Sequence, residues 1–204
     1  IEISTIDEVT RRVDIEAIKR KFQKNGNFGL VGLVGVQSNQ YPRAIDIARP
    51  LRQAGIPVIL GGFHVSGLMA MFKEMHSDLK EALDLGISLF AGEAEGRFDK
   101  VLGDAVAGKL KPVYNFMSDL PDIGTAPVPF LPKELVRQTL DGFTSFDAGR
   151  GCPFQCSFCT IINVQGRKSR SRSAADIESI IRKNVAQGVY RFFITDDNFA
   201  RNQD

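Results

Sequence analysis

The sequence is sparing with cysteine and histidine, nearly balanced in charge and free of long apolar runs. Lysine and arginine number 26 against 24 aspartates and glutamates, a net charge of +2 over 204 residues. That balance gives no reason to expect a nucleic-acid or membrane-surface partner. The longest apolar run, FGLVGLVGV from Phe28 to Val36, is too short to span a bilayer and suits a buried strand. No secretory signal is visible. The chain begins at Ile1 rather than Met, so further N-terminal sequence is expected. The only cysteines, Cys152, Cys156 and Cys159, fall within eight positions. An odd, clustered set argues against a disulfide framework and for a reducing compartment, hence a cytoplasmic location. Internal repeats and low-complexity tracts are also missing.

What is present is an ordinary globular composition, 43% hydrophobic and 25% charged, enough for one or two domains with a core. DEVTRRVDIEAIKRKF suggests a helix, with Val13, Ile15, Ile18 and Phe22 in partial register. Strands and helices then alternate. GLVGLVGV reads as a strand, PRAIDIARPLRQAG as a helix strained by Pro50, and IPVIL as a second strand running into the turn GGFH. LMAMFKEMHSDLKEALDLG reads as one helix, ISLFAG as a third strand and EGRFDKVLGDAVAG as a further helix. This order implies a parallel sheet in an α/β layer fold. From about Lys109 to Phe143 the period is lost among Pro112, Pro121, Pro127, Pro129 and Pro132, which suggests a linker. FTSFDAG is then a strand ending at the cysteines, SAADIESIIRKNVAQG a helix capped at Ser173 and closed by Gly188, and VYRFFIT a strand ending in DDNF. The boundaries read as 1–114 for a first domain, 115–143 for the linker and 144–204 for the start of a second.

The cysteine loop, GRGCPFQCSFCT, has the spacing C-x3-C-x2-C directly after a strand. Three thiolates on a short loop can converge on one metal centre. A structural zinc needs four protein ligands, and no fourth cysteine exists; His64 and His76 lie in the other domain. Three cysteines suit a 4Fe–4S cluster with one iron left open for a substrate or cofactor. A zinc or redox cysteine patch is the competing reading.

CPFQCSFC resembles the cluster loop of the radical S-adenosylmethionine (SAM) superfamily, with Phe158 at the aromatic position before the last cysteine. The resemblance implies that Cys152, Cys156 and Cys159 hold the cluster and that SAM chelates its open iron. Reductive cleavage of SAM would release a 5′-deoxyadenosyl radical, which the protein must form beside its target and away from water. It also implies that Phe158 packs near the adenine and that Asp196 or Asp197, in ITDDNF, helps hold the SAM amino group. Two aspartates after a strand can equally make a turn and cap the next helix. The cluster GRKSRSRS, with Arg167, Lys168, Arg170 and Arg172, reads as a solvated loop.

The first domain resembles the Rossmann-like cobalamin-binding domain found ahead of the partial (βα) barrel in one radical SAM class. VGVQSNQ, VILGGFH and FAGEAEGRFDKVL carry the likeness, and all three sit at strand ends, where open α/β sheets bind ligands. The resemblance implies that Gln37, Ser38 and Asn39 line the pocket for the cofactor's tail. It places His64 and Glu93 near the corrin or the domain interface. Gly61 and Gly62 would let a backbone approach a flat ligand closely. The Asp-x-His-x-x-Gly loop of better-known cobalamin domains is absent, and Gln37 stands where many have Ser. The subgroup most like this chain contains the anaerobic magnesium-protoporphyrin ester cyclase and the hopanoid-modifying enzymes.

Three functions are weighed. A cobalamin-dependent radical SAM enzyme would methylate, cyclise or rearrange a small-molecule substrate of tetrapyrrole or lipid type, drawing electrons from a reductase, flavodoxin or ferredoxin. A methylthiotransferase would need three further cysteines in the first domain, and none is there. A non-catalytic α/β ligand-binding module with a structural metal or Fe–S loop is the third. Residues 144–204 are too few for a full barrel, so a fragment of a longer enzyme, inactive alone and prone to dimerise through open strand edges, is expected.

Overall fold

The computed structural model describes residues 1–8, 10–124, 126–127, 130–139 and 142–199. Contacts divide the chain into two compact units, Ile1–Leu120 and Pro121–Asp204.

The first unit opens with helix α1 (Ile15–Lys24), whose N-cap Asp14 accepts a hydrogen bond from the Ala17 amide at 2.9 Å. Val13, Ile15, Ile18 and Phe22 pack on the core as their spacing predicts. Strand β1 (Val31–Leu33) is shorter than the apolar run that contains it, since Val34 is exposed and Gly35 turns the chain with φ 67°. Helix α2 (Tyr41–Gln53) runs through Pro50 unbroken. The carbonyl that loses its donor there belongs to Asp46, an exposed residue. Strand β2 (Val58–Gly61) follows.

The single helix expected over 68–86 is two helices, α3 (Phe63–Met71) and α4 (Ser77–Asp84). Phe72 is extended, and His76 caps α4 by accepting from the Asp78 amide. The break lets α4 start beside the start of α3, where Asp78 meets His64. Strand β3 (Ser88–Ala91), helix α5 (Phe98–Val106) and strand β4 (Val113–Asn115) complete the unit. A three-residue strand beside Pro112 leaves no readable period, which is why sequence alone does not show β4.

The four strands pair in the order β1-β2-β3-β4, all parallel. Their residues alternate between two cores. Val58, Leu60, Leu89 and Ala91 join Ala48 and Leu51 of α2 and Leu79 of α4, whereas Ile59, Phe90 and Tyr114 join Val101 of α5. Burial on both faces explains why β2 and β3 read as continuous apolar runs.

The second unit contains α6 (Lys133–Val136), β5 (Thr144–Arg150), α7 (Ile161–Val164), β6 (Arg170–Ser171), α8 (Ala174–Ala186) and β7 (Phe192–Asp196). Strand β5 is central, parallel to β7 and antiparallel to β6. Residues 121–143 belong to this unit by contact, and Ile123 and Val136 are fully buried in it.

The basic cluster is not a solvated loop throughout. Arg170 and Ser171 form β6, and Arg172 is buried. The Arg172 guanidinium donates to the carbonyls of Ile123 at 3.1 Å and Asp147 at 3.1 Å, and to the Asp147 carboxylate at 3.2 Å. Arg150 approaches the same carboxylate at 2.8 Å. Burial opposes the charge on Asp147, but the two guanidinium groups outweigh it and hold the pKa below its ordinary value. A planar fork of donors can tie several acceptors at once, so arginine rather than lysine suits this position.

Candidate functional site

Two groups of residues singled out by the sequence lie at strand ends, one in each unit. In the second unit the cysteine loop leaves β5 at Gly151. This residue has φ 84°, and a Cβ there would lie 2.3 Å from the Lys168 carbonyl oxygen. Only glycine fits both the backbone conformation and the close approach. Its amide donates to Asp197 Oδ2 at 2.6 Å. The Gln165 side-chain amide lies against the same carboxylate. The Cys152 amide donates to the Gly166 carbonyl at 3.1 Å. Asp197, directly after β7, is thereby built into the base of the loop.

Asp196 pairs in register with Gly149, and a Cβ at Gly149 would lie 2.6 Å from Asp196 Oδ2. That oxygen is buried without a hydrogen-bond partner, whereas Oδ1 accepts from the Asn198 amide at 2.6 Å. The Asn198 side chain reaches toward Cys152 Sγ at 3.9 Å. The loop thus gathers Cys152, Asp196, Asp197 and Asn198. Further along, the Cys159 amide donates to the Cys156 carbonyl at 3.1 Å. Ile162 and Val164, both buried, anchor α7 behind it.

All three thiols are free; Cys156 is exposed, and Cys152 and Cys159 are half-buried. Phe158 is 85% exposed, so it is open to a ligand and packs on little of its own chain. Among the described residues no three His, Cys, Asp or Glu side chains are gathered closely enough to hold a metal. The donor set of three accessible thiols on one loop fits an Fe–S cluster in chemistry, and the loop has to draw the sulfurs together to bind it.

In the first unit the parallel strands end at one rim. Gly62 has φ 136°, and a Cβ there would lie 2.2 Å from the Val36 amide nitrogen. The close approach that this glycine permits is therefore made by the chain's own backbone. Val36 donates to the Gly61 carbonyl at 3.1 Å, and the His64 amide donates to the Val36 carbonyl at 3.0 Å. Gly61 itself packs against Phe90. Gln37, Ser38 and Asn39 are exposed on the loop before α2. The Gln37 amide donates to Gln40 Oε1 at 2.9 Å.

His64 is buried in the first turn of α3, with Nδ1 3.1 Å from Ser38 Oγ and Nε2 3.0 Å from Asp78 Oδ2. Burial lowers its pKa although the Asp78 carboxylate pulls the other way, so the ring is held toward its neutral form. The Tyr41 ring lies over it at 4.4 Å between centroids. Glu93, buried, follows β3, where the preceding Gly92 amide donates to Ser66 Oγ at 3.1 Å. The structure brings Ser38 and His64 together. No local pattern points to Asp78, which stands 14 positions beyond His64 in an ordinary helix start.

No protein-family model matches the chain. It is 27% identical over 195 residues to the bacteriochlorophyllide d C-8(2)-methyltransferase of Chlorobaculum tepidum, covering 90% of this chain and 41% of that protein. It is 27% identical over 163 residues to the hopanoid C-2 methylase of Rhodopseudomonas palustris, covering 78% of this chain and 28% of that protein. The chain therefore spans about two-fifths or less of the length of these curated relatives. In fold it is similar to the radical SAM methyltransferase TsrM of Kitasatospora setae, solved with cobalamin and a 4Fe–4S cluster bound. The TM-score is 0.53 at 16% identity, covering 90% of this chain and 42% of that one. In sequence the chain is similar to these two methyl-transferring enzymes, and in fold it is similar to a methyltransferase solved with cobalamin and a 4Fe–4S cluster.

Proposed function

We propose that this chain supplies cofactor-binding parts of a cobalamin-dependent radical SAM methyltransferase. The observation that carries the reading is the loop after β5, where three free thiols fall within eight positions and Gly151, at the start of the loop, is tied to Asp197 directly after β7. Cys152, Cys156 and Cys159 hold the cluster, which when bound supplies the electron that cleaves the carbon–sulfur bond of SAM. The sulfonium cofactor's ammonium group needs an acceptor close to the cluster. Asp196 offers one, because its Oδ2 is buried and has no partner of its own. Asp197 serves differently: by binding the Gly151 amide it fixes where the loop departs from the sheet. Phe158, exposed on the loop, covers the adenine with its ring.

In the first unit, the exposed rim of Gln37, Ser38 and Asn39 binds cobalamin, with His64 and Glu93 buried behind it and Gly61 and Gly62 packing the strand ends beneath. A small organic molecule is the methyl acceptor; a tetrapyrrole or a polycyclic lipid suits the relatives' substrates. A flavodoxin, ferredoxin or reductase provides the electron. Phe193 and Ile194 of β7 and Tyr190 before it are exposed, an apolar edge that favours self-association of the isolated chain. No helix among the described residues is long and apolar enough to cross a membrane.

The test is anaerobic reconstitution with iron and sulfide in the presence of hydroxocobalamin, followed by desalting and an absorption spectrum. Retained Fe–S and corrin bands together support the proposal. Iron–sulfur absorption without corrin would reduce the first unit to a scaffold. A spectrum with neither would sink the reading.

A further inference from the structure

We propose that Asp78 and His64 are positioning residues that hold the Ser38 hydroxyl as a hydrogen-bond acceptor toward a ligand beyond the ends of β1 and β2. For the identity of that ligand the inference rests on the cobalamin reading above.

The argument is one of donor and acceptor accounting. A carboxylate only accepts, so Asp78 Oδ2, 3.0 Å from His64 Nε2, requires the proton on that nitrogen. A neutral imidazole then has a bare lone pair on Nδ1, which lies 3.1 Å from Ser38 Oγ. Ser38 must therefore donate its one hydroxyl proton inward to His64. What it has left for anything outside is oxygen lone pairs.

The arrangement is braced on every side. The His64 amide is tied to the Val36 carbonyl at 3.0 Å. Tyr41 stacks on the ring and donates its hydroxyl to the Asp78 carbonyl. His64 is 7% exposed, whereas Ser38 is open to solvent on its loop. A buried relay that ends in an exposed hydroxyl at the carboxyl end of a parallel sheet sits where such sheets bind ligands. Ser38 fixed in this way selects a ligand group with an N–H or O–H, such as the amides and hydroxyl groups of cobalamin. It offers nothing to a carboxylate or phosphate oxygen, since its proton is already committed.

Two readouts test this on the intact chain. Long-range nitrogen-15 NMR of the ligand-free protein is expected to show His64 with its proton on Nε2; a proton on Nδ1 would overturn the relay. Hydroxocobalamin binding is then measured for the wild type, Ser38→Ala, Ser38→Thr and Asp78→Asn. Ser38→Ala and Asp78→Asn are each expected to weaken it about tenfold, the effect of one lost hydrogen bond, and Ser38→Thr to restore it by keeping the hydroxyl. Equal affinity of wild type and Ser38→Ala would overturn the ligand role of Ser38. If the wild type retains no corrin while the Nε2 proton is present, the relay stands. The cobalamin reading, and with it the ligand assigned to Ser38, then falls.

Discussion

Gly151 decides where the cysteine loop leaves the sheet. Its φ of 84° and the Lys168 carbonyl 2.3 Å from the position of a Cβ leave no room for a side chain. Gly151→Ala is expected to destabilise the protein by about 2 kcal/mol or more, seen as a lower thermal midpoint. It should also lower iron loading, because Cys152 follows directly. A midpoint equal to wild type would show that the loop can move aside.

His64 carries the pH dependence at this scale. Its folded pKa lies below the ordinary 6.5, so between the two values the unfolded chain binds a proton that the folded chain refuses. Its contribution to stability is complete above about pH 6.5 and is lost as the pH falls below that, toward the folded pKa. Thermal midpoints measured from pH 7.5 to 5 should fall more for wild type than for His64→Asn; parallel curves would contradict the assignment. The cysteines stand out in the sequence because thiols in tight spacing have few other uses. Asp78 and Arg172 were not, because their partners lie 14 and 25 to 49 positions away and no local pattern links them.

Among the elements, the ones with strong local signals were read directly from the sequence. Helix α8 is an example: Ser173 Oγ accepts from the Asp176 amide at 3.1 Å and bonds the Asp176 carboxylate at 2.7 Å. Ser173→Ala should cost about 1 kcal/mol, read from the denaturation midpoint of the second unit. No change would mean that Asp176 or water satisfies the freed amides. Strands β2 and β3 were equally plain, since both faces are buried and every position is apolar or small. Strands β4 and β6, of three and two residues, are defined by pairing with distant neighbours and not by their own composition. The long helix expected over 68–86 failed for a related reason. Its apolar spacing continues through 72–76, but the contact of Asp78 with His64 requires the chain to turn back.

At the scale of the whole molecule, the parallel strands of each unit end in loops that present polar side chains. In the first, serine, histidine and glutamate side chains stand at the rim; in the second, thiols and aspartates do. The α/β class and the likeness to cobalamin-carrying radical SAM proteins were both legible, because strand-end motifs and cysteine spacing are local patterns that need no distant partner to be read. The substrate was not legible, since no residue of this chain distinguishes one organic methyl acceptor from another. The central claim is that the three cysteines hold an iron–sulfur cluster. The most direct measurement is a metal count on the anaerobically reconstituted chain beside its Cys152→Ala, Cys156→Ala and Cys159→Ala forms. The account predicts about four irons per wild-type chain and a large loss in each single variant. One zinc and no iron, or iron that persists when any of the cysteines is removed, would contradict it.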